Sequence, residues 1–277
     1  GAQTQNPRRM NPPIRWPLEA IWEAVVPMVP GFTVEVLPEL DSTNAELMRR
    51  VRNGRLDPVL LVTERQTDGR GRMGRPWHSG AGGGAQMPSL TFSLGLSVAP
   101  VDWSGLSLAV GLSLAKSLHP EILLKWPNDL WWRDQKLAGI LIETANWGGV
   151  SDSRYVVIGV GINIQTPPAL DMSTPPVGLR ELLPGIDAAQ TLERVIKPLV
   201  QTVQTFEVHG FAPFQREFNA RDALAQLPVN LSDGMQGTAQ GVDVKGALLL
   251  HTAQGVQRVT SSEVSVRAQP GPRYDHM

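Results

Sequence analysis

The chain has 277 residues, a formal net charge of −1 and no cysteine. This length allows one large domain and a small one, and a charge near zero gives the molecule no overall electrostatic preference for nucleic acid. The absence of cysteine excludes disulfides, thiolate metal sites and cysteine nucleophiles, and it fits a cytoplasmic protein. Because the sequence has no apolar run of about 18 residues and no charged-then-apolar leader, we expect neither a membrane span nor export.

Hydrophobic periodicity predicts helices and strands from the N-terminus to about residue 222. A polar tail over residues 1–13 comes first. In chain order, the predicted elements are a helix at 18–26, a strand at 32–37, a helix from 43 to about 54, an apolar strand at 58–66, a half-buried strand at 89–97, a helix at 106–118, a strand from 121 to 126, a hairpin over 130–143, a buried strand at 155–164 and helices at 191–209 and 211–222. We expect Pro198 to interrupt or offset the first of the last two helices.

The helix that begins near Thr43 carries a candidate capping box. Thr43 and Glu46 have the spacing at which a hydroxyl and a carboxylate cap a helix N-terminus reciprocally. The neighbouring hydroxyl and amide side chains, Ser42 and Asn44, also make this helix end a suitable rim for a polar ligand. The capping interpretation does not exclude binding.

A glycine- and arginine-rich loop follows the apolar strand, with the sequence Gly69-Arg-Gly-Arg-Met-Gly-Arg-Pro-Trp77. Glycine lets a ligand approach the backbone, and arginine offers a planar charged fork to phosphate or carboxylate. The string fits a dinucleotide-binding fingerprint and the front of a P-loop. However, Pro76-Trp77 cannot open the required helix, and Arg75-Pro76 stands where Lys-Ser/Thr is needed. An anion-wrapping loop is favoured, with a generic basic loop as the alternative.

A second polar group follows the strand at 121–126, in the sequence Lys125-Trp-Pro-Asn-Asp129. Pro127 cannot continue a central ladder, so the strand ends there. Asn128-Asp129 fits an ordinary Asx turn, and this interpretation stays open beside a functional one. The hairpin is predicted to bring Asp129 and Lys136 together at its open end.

Lys136 begins the returning strand of that hairpin. Period-two alternation places Lys136 on the same face as Ala138, Ile140 and Ile142. A lysine that leads an apolar face either snorkels to solvent or meets a buried anion, and the sequence leaves both open. In the buried strand at 155–164, Gly159 and Gly161 indicate a bulge or a close ligand approach, and Asn163 needs hydrogen-bond partners.

From Ala223 onward, short strands and turns replace the longer elements. Asp233-Gly234 and Lys245-Gly246 punctuate five short apolar segments, near 228–231, 236–242, 247–251, 256–259 and 263–267. This pattern predicts a small SH3-like β-barrel. We therefore expect four parts: an N-terminal tail and helix at 1–30, a main domain at 31–222, the barrel at 223–270 and a tail at 271–277.

The candidate functional residues contain no nucleophile–base pair, and the five histidines show no metal or triad spacing. What remains is an anion-binding set: Arg70, Arg72, Arg75, Lys136 and Lys125, with Asn128-Asp129 alongside. An enzyme that positions phosphates and neutralises charge has this composition.

These stretches, in order and spacing, resemble the biotin protein ligases. The resemblance rests on Ser42-Thr-Asn44, the loop 69–77, Lys125-Trp-Pro-Asn-Asp129, Lys136-Leu-Ala-Gly-Ile-Leu-Ile-Glu143, Gly159-Val-Gly-Ile-Asn163 and the C-terminal segments at 246–250 and 263–267. It covers roughly residues 35–268. Two departures stand out: the glycine-rich segment 80–88 is longer than the family's usual link, and Ser262-Glu263 replaces the common Gly-Glu.

The resemblance implies an α+β fold, with a mixed β-sheet flanked by helices of the class II synthetase and biotin–lipoate ligase type, and a C-terminal SH3-like barrel. It implies two steps: biotin and ATP give biotinyl-5′-AMP and diphosphate with Mg²⁺, and a lysine of a biotin carboxyl carrier protein of a biotin-dependent carboxylase then takes the biotinyl group. It further implies a cytoplasmic enzyme of the short class, with no DNA-binding extension. Neither a nucleic-acid nor a membrane partner is expected, and a homodimer is possible.

Carried onto this chain, the resemblance implies the following roles. The catalytic residues would be Arg70, Arg72 and Lys136. Biotin would be bound by Ser42, Thr43, Gln66, Gly69, Arg70, Arg72, Trp77, Lys136, Gly161 and Ile162. The nucleotide would be bound by Arg72, Arg75, Asn128, Asp129 and Asn163, and Asp129 would face the metal. Two alternatives remain at this point: a lipoate-attaching enzyme on the same fold, and a non-catalytic biotin or nucleotide sensor.

Overall fold

The computed structural model describes residues 13–71, 87–145, 152–168, 172–260 and 264–269. Its helices are α1 (Leu18–Val25), α2 (Thr43–Arg52), α3 (Leu106–Leu118), α4 (Ala188–His209) and α5 (Gln215–Ala220), with short 3-10 turns at Leu179–Glu181 and Ala212–Phe214. Its strands are β1 (Thr33–Leu37), β2 (Val59–Thr63), β3 (Ser89–Val98), β4 (Leu123–Lys125), β5 (Asp129–Trp132), β6 (Gln135–Ala145), β7 (Arg154–Asn163), β8 (Pro228–Leu231), β9 (Gln236–Val242), β10 (Leu248–Thr252), β11 (Gly255–Val259) and β12 (Val266–Ala268).

The first seven strands form one mixed sheet in the order β1-β2-β3-β7-β6-β5-β4. β1 and β2 are parallel, and the other neighbours are antiparallel. The long strands β3 and β7 lie in the middle and pair from Ser89 opposite Asn163 to Val98 opposite Arg154. The predicted mixed sheet flanked by helices is confirmed.

The two faces of this sheet differ in chemistry. On one face, alternate residues such as Leu90, Phe92, Ile158 and Ile162 are apolar and pack in the main core with α3 and α4. On the other face, Ser89, Thr91 and Ser93 of β3 lie directly opposite Asn163, Gly161 and Gly159 of β7. We call these the core face and the polar face. Since directly opposed residues share a face, the register extends each face onto the neighbouring strands.

Helix α2 covers one end of the polar face. Its Leu47 and Val51 form a second, smaller core with Val59, Leu61, Tyr155 and Val157 of the sheet. β3 is therefore buried along nearly its whole length, and only Ser97 is exposed. The prediction of a half-buried β3 was wrong because the alternation of polar and apolar residues reflects two buried faces, one of them lined with hydroxyls.

The N-cap of α2 is Ser42, so the predicted box headed by Thr43 was wrong. Ser42 has an extended backbone, and its Oγ accepts a hydrogen bond from the Ala45 N–H at 3.2 Å. Thr43 is the first helical residue, and Glu46 pairs with Arg49 and Arg50 at 3.1 and 2.8 Å. Because Ser42 supplies the cap, the Thr43 side chain is directed to other partners.

The long helix α4 begins earlier than predicted and continues through Pro198. Asp187 caps it in a reciprocal box with Gln190, and nine of its residues are buried against the core face. The predicted interruption at Pro198 was wrong. The helix predicted at 211–222 is only the 3-10 turn at 212–214 followed by α5.

The C-terminal strands form a five-stranded antiparallel sheet in the order β11-β10-β9-β8-β12. We call it the small sheet. Among the described residues, its edge strands β11 and β12 are not paired with each other, so closure of the predicted barrel is not seen in this part of the chain. None of the helices that the structure describes combines the length and apolar character needed to cross a membrane.

Candidate active site

A cleft of about 1130 Å³ lies over the polar face of the large sheet. Its walls are the N-terminus of α2, the hairpin of β5 and β6, the segment at 172–176 and the strand β12 of the small sheet. Charged and polar side chains from distant parts of the chain converge there: Ser42, Thr43, Asn44, Gln66, Arg70, Thr91, Lys125, Asn128, Asp129, Lys136, Asn163 and Arg267.

A buried hydrogen-bond network forms the end of the cleft under α2. The Asn44 amide donates to the Leu141 carbonyl at 3.2 Å and to Glu143 Oε1 at 3.0 Å. Its Oδ1 must then accept, and the Ser93 hydroxyl donates to it at 2.5 Å. Ser93 Oγ is also 2.7 Å from Thr43 Oγ1, so the Thr43 hydroxyl is held beside it.

Gln66 joins this network from the strand β2 side. Its Oε1 accepts from the Thr43 N–H at 2.9 Å and lies 3.4 Å from Thr43 Oγ1. We call Thr43, Asn44, Gln66 and Ser93 the amide–hydroxyl network. Asn44 was predicted only as part of the polar rim at this helix end. Ser93 was not predicted, although the sequence offered a signal, because β3 carries a hydroxyl at Ser89, Thr91 and Ser93.

Gly159 leaves the space that the Asn44 side chain occupies. A Cβ at this position would lie 2.8 Å from both Cγ and Nδ2 of Asn44, which is closer than real Cβ contacts come. The close approach of the Asn44 side chain to β7 therefore requires glycine at position 159. This is the structural reason for one of the two glycines that the sequence singled out in β7.

A β-bulge brings Lys136 onto the polar face. Trp131 lies opposite Lys136, but Leu130 lies opposite Ala138, so Leu137 is an extra residue in β6. A bulge of this kind reverses the alternation of faces. The predicted shared face with Ala138, Ile140 and Ile142 was therefore wrong, and Lys136 shares the polar face with Trp131 instead.

The predicted proximity of Lys136 and Asp129 is confirmed. Lys136 Nζ lies 3.4 Å from Asp129 Oδ1, and both side chains are partly buried, with 34% and 16% of their surfaces exposed. Their backbones are offset along the hairpin, since Asp129 lies opposite Gly139 and Lys136 lies nearer the turn. Of the two interpretations left open for Lys136, the structure supports contact with an anion.

Lys125 and Trp131 extend the cationic side of the cleft. Register places both on the polar face, because Lys125 lies opposite Asp129 and Trp131 opposite Lys136. Lys125 Nζ is 5.9 Å from the centre of the Trp131 ring, within the range of a cation–π interaction. The cleft thus has an amide–hydroxyl end and an end with two lysines and one carboxylate.

Asn128 and Asn163 line the cleft while serving the backbone. Asn128 Nδ2 donates to the Ile140 carbonyl at 2.9 Å, and the main-chain carbonyl of Asn128 accepts from the Ile140 N–H at 3.0 Å. Asn163 Nδ2 donates to the Lys136 carbonyl at 3.3 Å. Both amides therefore hold β6 in place, and Asn163 holds the backbone of Lys136.

The glycine–arginine loop enters the cleft at Arg70 and Gly71. The Arg70 guanidinium is 65% exposed and lies 3.3 Å from Asp68 Oδ2. Gly69 is buried and does not line the cleft. The predicted contacts of Arg72, Arg75 and Trp77 lie outside the described residues.

Ile162 does not present its side chain to the cleft. It lies on the core face of β7, opposite Leu90, and is fully buried in the main core. The neighbouring predicted residues Gly161 and Asn163 do line the cleft. The family resemblance assigned all three consecutive positions to the site, but a strand sends alternate side chains to opposite faces.

Thr91 was missed by the sequence reasoning and has an unusual environment. It lies on the polar face opposite Gly161, lines the cleft and is 5% exposed. Its Oγ1 is buried without a hydrogen-bond partner in the described part of the chain. Since buried hydroxyls are nearly always paired, Thr91 is a candidate ligand-binding group.

The rim of the cleft is stabilised by ionised Asp41. Arg49 donates to both of its oxygens at 2.7 and 2.8 Å, and this hydrogen bonding lowers the pKa of Asp41 to about 2. The ionised Asp41 in turn accepts from the Ser42 N–H at 2.8 Å. The N-cap of α2, and with it Thr43, is thereby held in place at neutral pH.

The donor set allows a magnesium ion only as a partner of phosphates. Among the described residues, no group of three or more His, Asp or Glu side chains is arranged to hold a metal. Asp129 supplies one carboxylate in the cleft. Mg²⁺ is commonly bound by one or two carboxylates together with substrate phosphates and waters, so these residues fit an ion that arrives with a nucleotide.

Comparison with known proteins agrees with the family resemblance of the sequence. Residues 37–163 match the model of the biotin/lipoate A/B protein ligase family, and residues 228–267 match that of the biotin protein ligase C-terminal domain. The bifunctional ligase/repressor BirA of Escherichia coli is 32% identical over 247 residues, which cover 86% of this chain and 75% of that protein. The chain belongs to the biotin protein ligase family.

Two further members of the family support this assignment. The biotin–[acetyl-CoA-carboxylase] ligase of Mycobacterium tuberculosis is 32% identical over 83% of this chain and 88% of that protein. The structure of the biotin protein ligase of Aquifex aeolicus in complex with biotin and ATP is similar, with a TM-score of 0.70 and 28% identity over 85% of this chain and 99% of that chain.

Proposed function

We propose that this chain is an ATP-dependent ligase that attaches biotin to a lysine of a biotin carboxyl carrier domain through biotinyl-5′-adenylate. The observation that carries the proposal is the position of Lys136. A bulge in β6 places its ammonium on the polar face, 3.4 Å from Asp129, in the same cleft as the amide–hydroxyl network. The cleft thus joins neutral hydrogen-bonding groups to a charged end.

The amide–hydroxyl network is suited to the ureido ring of biotin. That ring offers two N–H donors and one carbonyl acceptor. The network presents the Thr43 hydroxyl and the Asn44 and Gln66 amides to the cleft, and the buried Ser93 hydroxyl contacts Thr43 and Asn44 from behind. Their mutual hydrogen bonds fix the directions of these groups before a ligand arrives. Gly139 and Gly161 line the cleft and present no side chain to the bicyclic ring.

In the first step, a biotin carboxylate oxygen attacks the α-phosphorus of ATP, and the bond from that phosphorus to the diphosphate oxygen breaks. Both reactants are anions, so the residues must reduce their repulsion. Lys136 would meet the oxygens that join the carboxylate and the α-phosphate, where charge develops. Arg70 would approach from the loop, and Asn128 and Asp129 would border the nucleotide. A Mg²⁺ ion bound with ATP would supply further neutralisation of phosphate charge.

In the second step, the neutral amine of an acceptor lysine attacks the carbonyl carbon of the adenylate. The bond from that carbon to the phosphate oxygen breaks, AMP leaves, and the attacking nitrogen releases a proton to solvent. Lys136 remains beside the departing phosphate oxygens and would stabilise them as the bond breaks. Because the acceptor supplies the nucleophile, the absence of a nucleophile–base pair in the sequence agrees with this chemistry.

The proposal is tested by mixing the protein with ATP, Mg²⁺ and biotin, with and without a carrier domain. We expect biotin-dependent release of diphosphate, and a mass increase on the carrier of one biotinyl group. Parallel reactions with lipoate test the related activity. Binding of biotin without diphosphate release would instead indicate a sensor, and lipoate transfer without biotin transfer would indicate a lipoate ligase.

A further inference from the structure

The segment Lys125-Trp-Pro-Asn-Asp129 is attached to the small sheet through one buried side chain. Trp126 is 1% exposed, and its Nε1 donates a hydrogen bond of 3.0 Å to the Gly246 carbonyl. Gly246 belongs to the turn that connects β9 and β10 of the small sheet. Lys125 and Asn128 of the same segment point elsewhere, since both line the cleft.

The turn that accepts this hydrogen bond is fixed from within. The Asp243 carboxylate accepts from the backbone N–H groups of Lys245 and Ala247 at 2.9 and 3.0 Å, and the Asp243 carbonyl accepts from Gly246 N–H at 3.0 Å. Gly246 has a φ of +83°, a left-handed conformation that favours glycine. The carbonyl that receives the Trp126 hydrogen bond is therefore held by its own turn.

The same turn is packed tightly against the start of α3. A Cβ on Gly246 would lie 2.6 Å from Leu108 Cδ1 and 3.1 Å from Gly105 Cα. Lys245 Nζ also lies 3.6 Å from Asp102 Oδ2 across this contact. The turn therefore lies so close to α3 that no side chain fits at position 246.

Other contacts hold the residues on both sides of Trp126. Leu124 exchanges backbone hydrogen bonds of 2.7 and 2.9 Å with Arg221 and Ala223, and the Ser107 hydroxyl donates to the Pro127 carbonyl at 3.1 Å. The Trp126 side chain connects the segment to the small sheet. Lys125 and Asp129, which flank it, are opposite one another in the sheet register.

We infer that Trp126 is a positioning residue for the nucleotide side of the cleft, acting through its hydrogen bond to the Gly246 carbonyl. The bond fixes where Lys125, Asn128 and Asp129 stand relative to the phosphates of ATP. The amide–hydroxyl network belongs to α2, β3 and the segment that follows β2, so biotin binding does not depend on this bond. The inference rests on the proposed function, because it assigns the charged end of the cleft to the nucleotide.

The test compares steady-state diphosphate release and biotin binding in the full chain and in Trp126→Phe. This substitution keeps an aromatic ring and removes the indole N–H. We expect the KM for ATP to rise about tenfold or more, since small misplacements of positioning groups cost up to ~10²-fold. The Kd for biotin, measured by calorimetry, should stay within about twofold of the wild type.

Two controls separate positioning from lost stability. Trp22→Phe removes the same kind of indole-to-carbonyl bond, 3.1 Å to the Phe32 carbonyl, far from the cleft. Tyr155→Phe removes a buried hydroxyl bond of 2.9 Å to the Asp57 carbonyl and matches the loss of a buried hydrogen bond. Both should keep the wild-type KM for ATP when all proteins are assayed below their unfolding transitions.

A double-mutant cycle identifies the partner. Gly246→Ala forces the turn away from Leu108 and should reproduce the ATP defect with Trp126 intact. The double variant should then be no worse than either single variant, because both remove one interaction. An unchanged KM for ATP in Trp126→Phe, an equal loss of biotin binding, or strictly additive defects would overturn the inference. A wild-type protein that releases no diphosphate would instead refute the proposed function.

Discussion

Replacing Thr91 by valine should separate binding from stability at one position in the cleft. Its hydroxyl is buried on the polar face with no partner in the described residues, directly opposite Gly161. A buried hydroxyl without a partner destabilises the empty protein, whereas a ligand that reaches it gains a hydrogen bond. Valine keeps the shape of threonine but lacks the hydroxyl.

The magnitudes follow from these two states of the hydroxyl. An unsatisfied buried polar group costs about 1–3 kcal/mol, so Thr91→Val should raise the free energy of unfolding of the empty protein by about 1 kcal/mol or more. A neutral hydrogen bond contributes about 0.5–1.5 kcal/mol, so its loss should weaken biotin binding by roughly two- to twelvefold. The variant is expected to be more stable and to bind less tightly.

The matched control is Thr63→Val on the neighbouring strand. Thr63 lies opposite Thr91 in the register and is fully buried, but its hydroxyl lies 3.0 Å from both the Leu37 and Arg65 carbonyls. This control should lose stability and keep its biotin affinity. Urea unfolding and calorimetric titration with biotin measure both quantities. A Thr91→Val protein that is destabilised as much as the control, with unchanged biotin affinity, would refute the reasoning.

Three further substitutions test other parts of the cleft. Lys136→Ala should reduce adenylate formation by on the order of 10²–10³-fold because charge develops beside its ammonium; near-normal diphosphate release, relative to a Lys116→Ala control whose Nζ pairs with Glu217 at 2.7 Å, would contradict that role. Gly159→Ala should displace Asn44, cost about 1–3 kcal/mol of stability by overpacking and weaken biotin binding in calorimetry; unchanged values for both would show that the strand accommodates the methyl group. Asp41→Asn should flatten the pH dependence of unfolding between about pH 4 and pH 2. Since the folded pKa of Asp41 is lowered to about 2, wild-type stability is present above its ordinary value and is lost as pH falls, and an equally steep loss in the variant would contradict the assignment.

The sequence predicted the elements of the fold because local signals agreed with the tertiary structure. The helix at 106–118 matches α3, and the strands at 32–37 and 89–97 match β1 and β3 to within one residue. The short C-terminal strands were also placed correctly, apart from the last, whose start is shifted to Val266. Turn residues and alternation are local properties, so they are readable without knowledge of the partner strands.

The candidate site was predicted less completely because its geometry depends on pairing between strands. The face of Lys136 is set by the extra residue Leu137, and the bulge exists only in relation to β5. Likewise, the alternation in β3 indicated one solvated face, but α2 buries part of it. Asn44 packs against Gly159, which lies 115 positions later in the chain, and no local pattern connects the two residues.

The division of the large sheet into two faces explains how one strand can serve both packing and binding. Along β7, the even-numbered positions Ile158 and Ile162 fill the main core, while Gly159 and Asn163 line the cleft. Substitutions on the core face should therefore act through stability, whereas substitutions of the cleft-lining residues on the polar face should also change ligand affinity. The bulge at Leu137 is the point where the two requirements meet. It lets the lysine reach the cleft while Leu137 and Ala138 both remain buried in the core. A regular β6 could not satisfy both requirements, because Lys136 and Ala138 would then share one face.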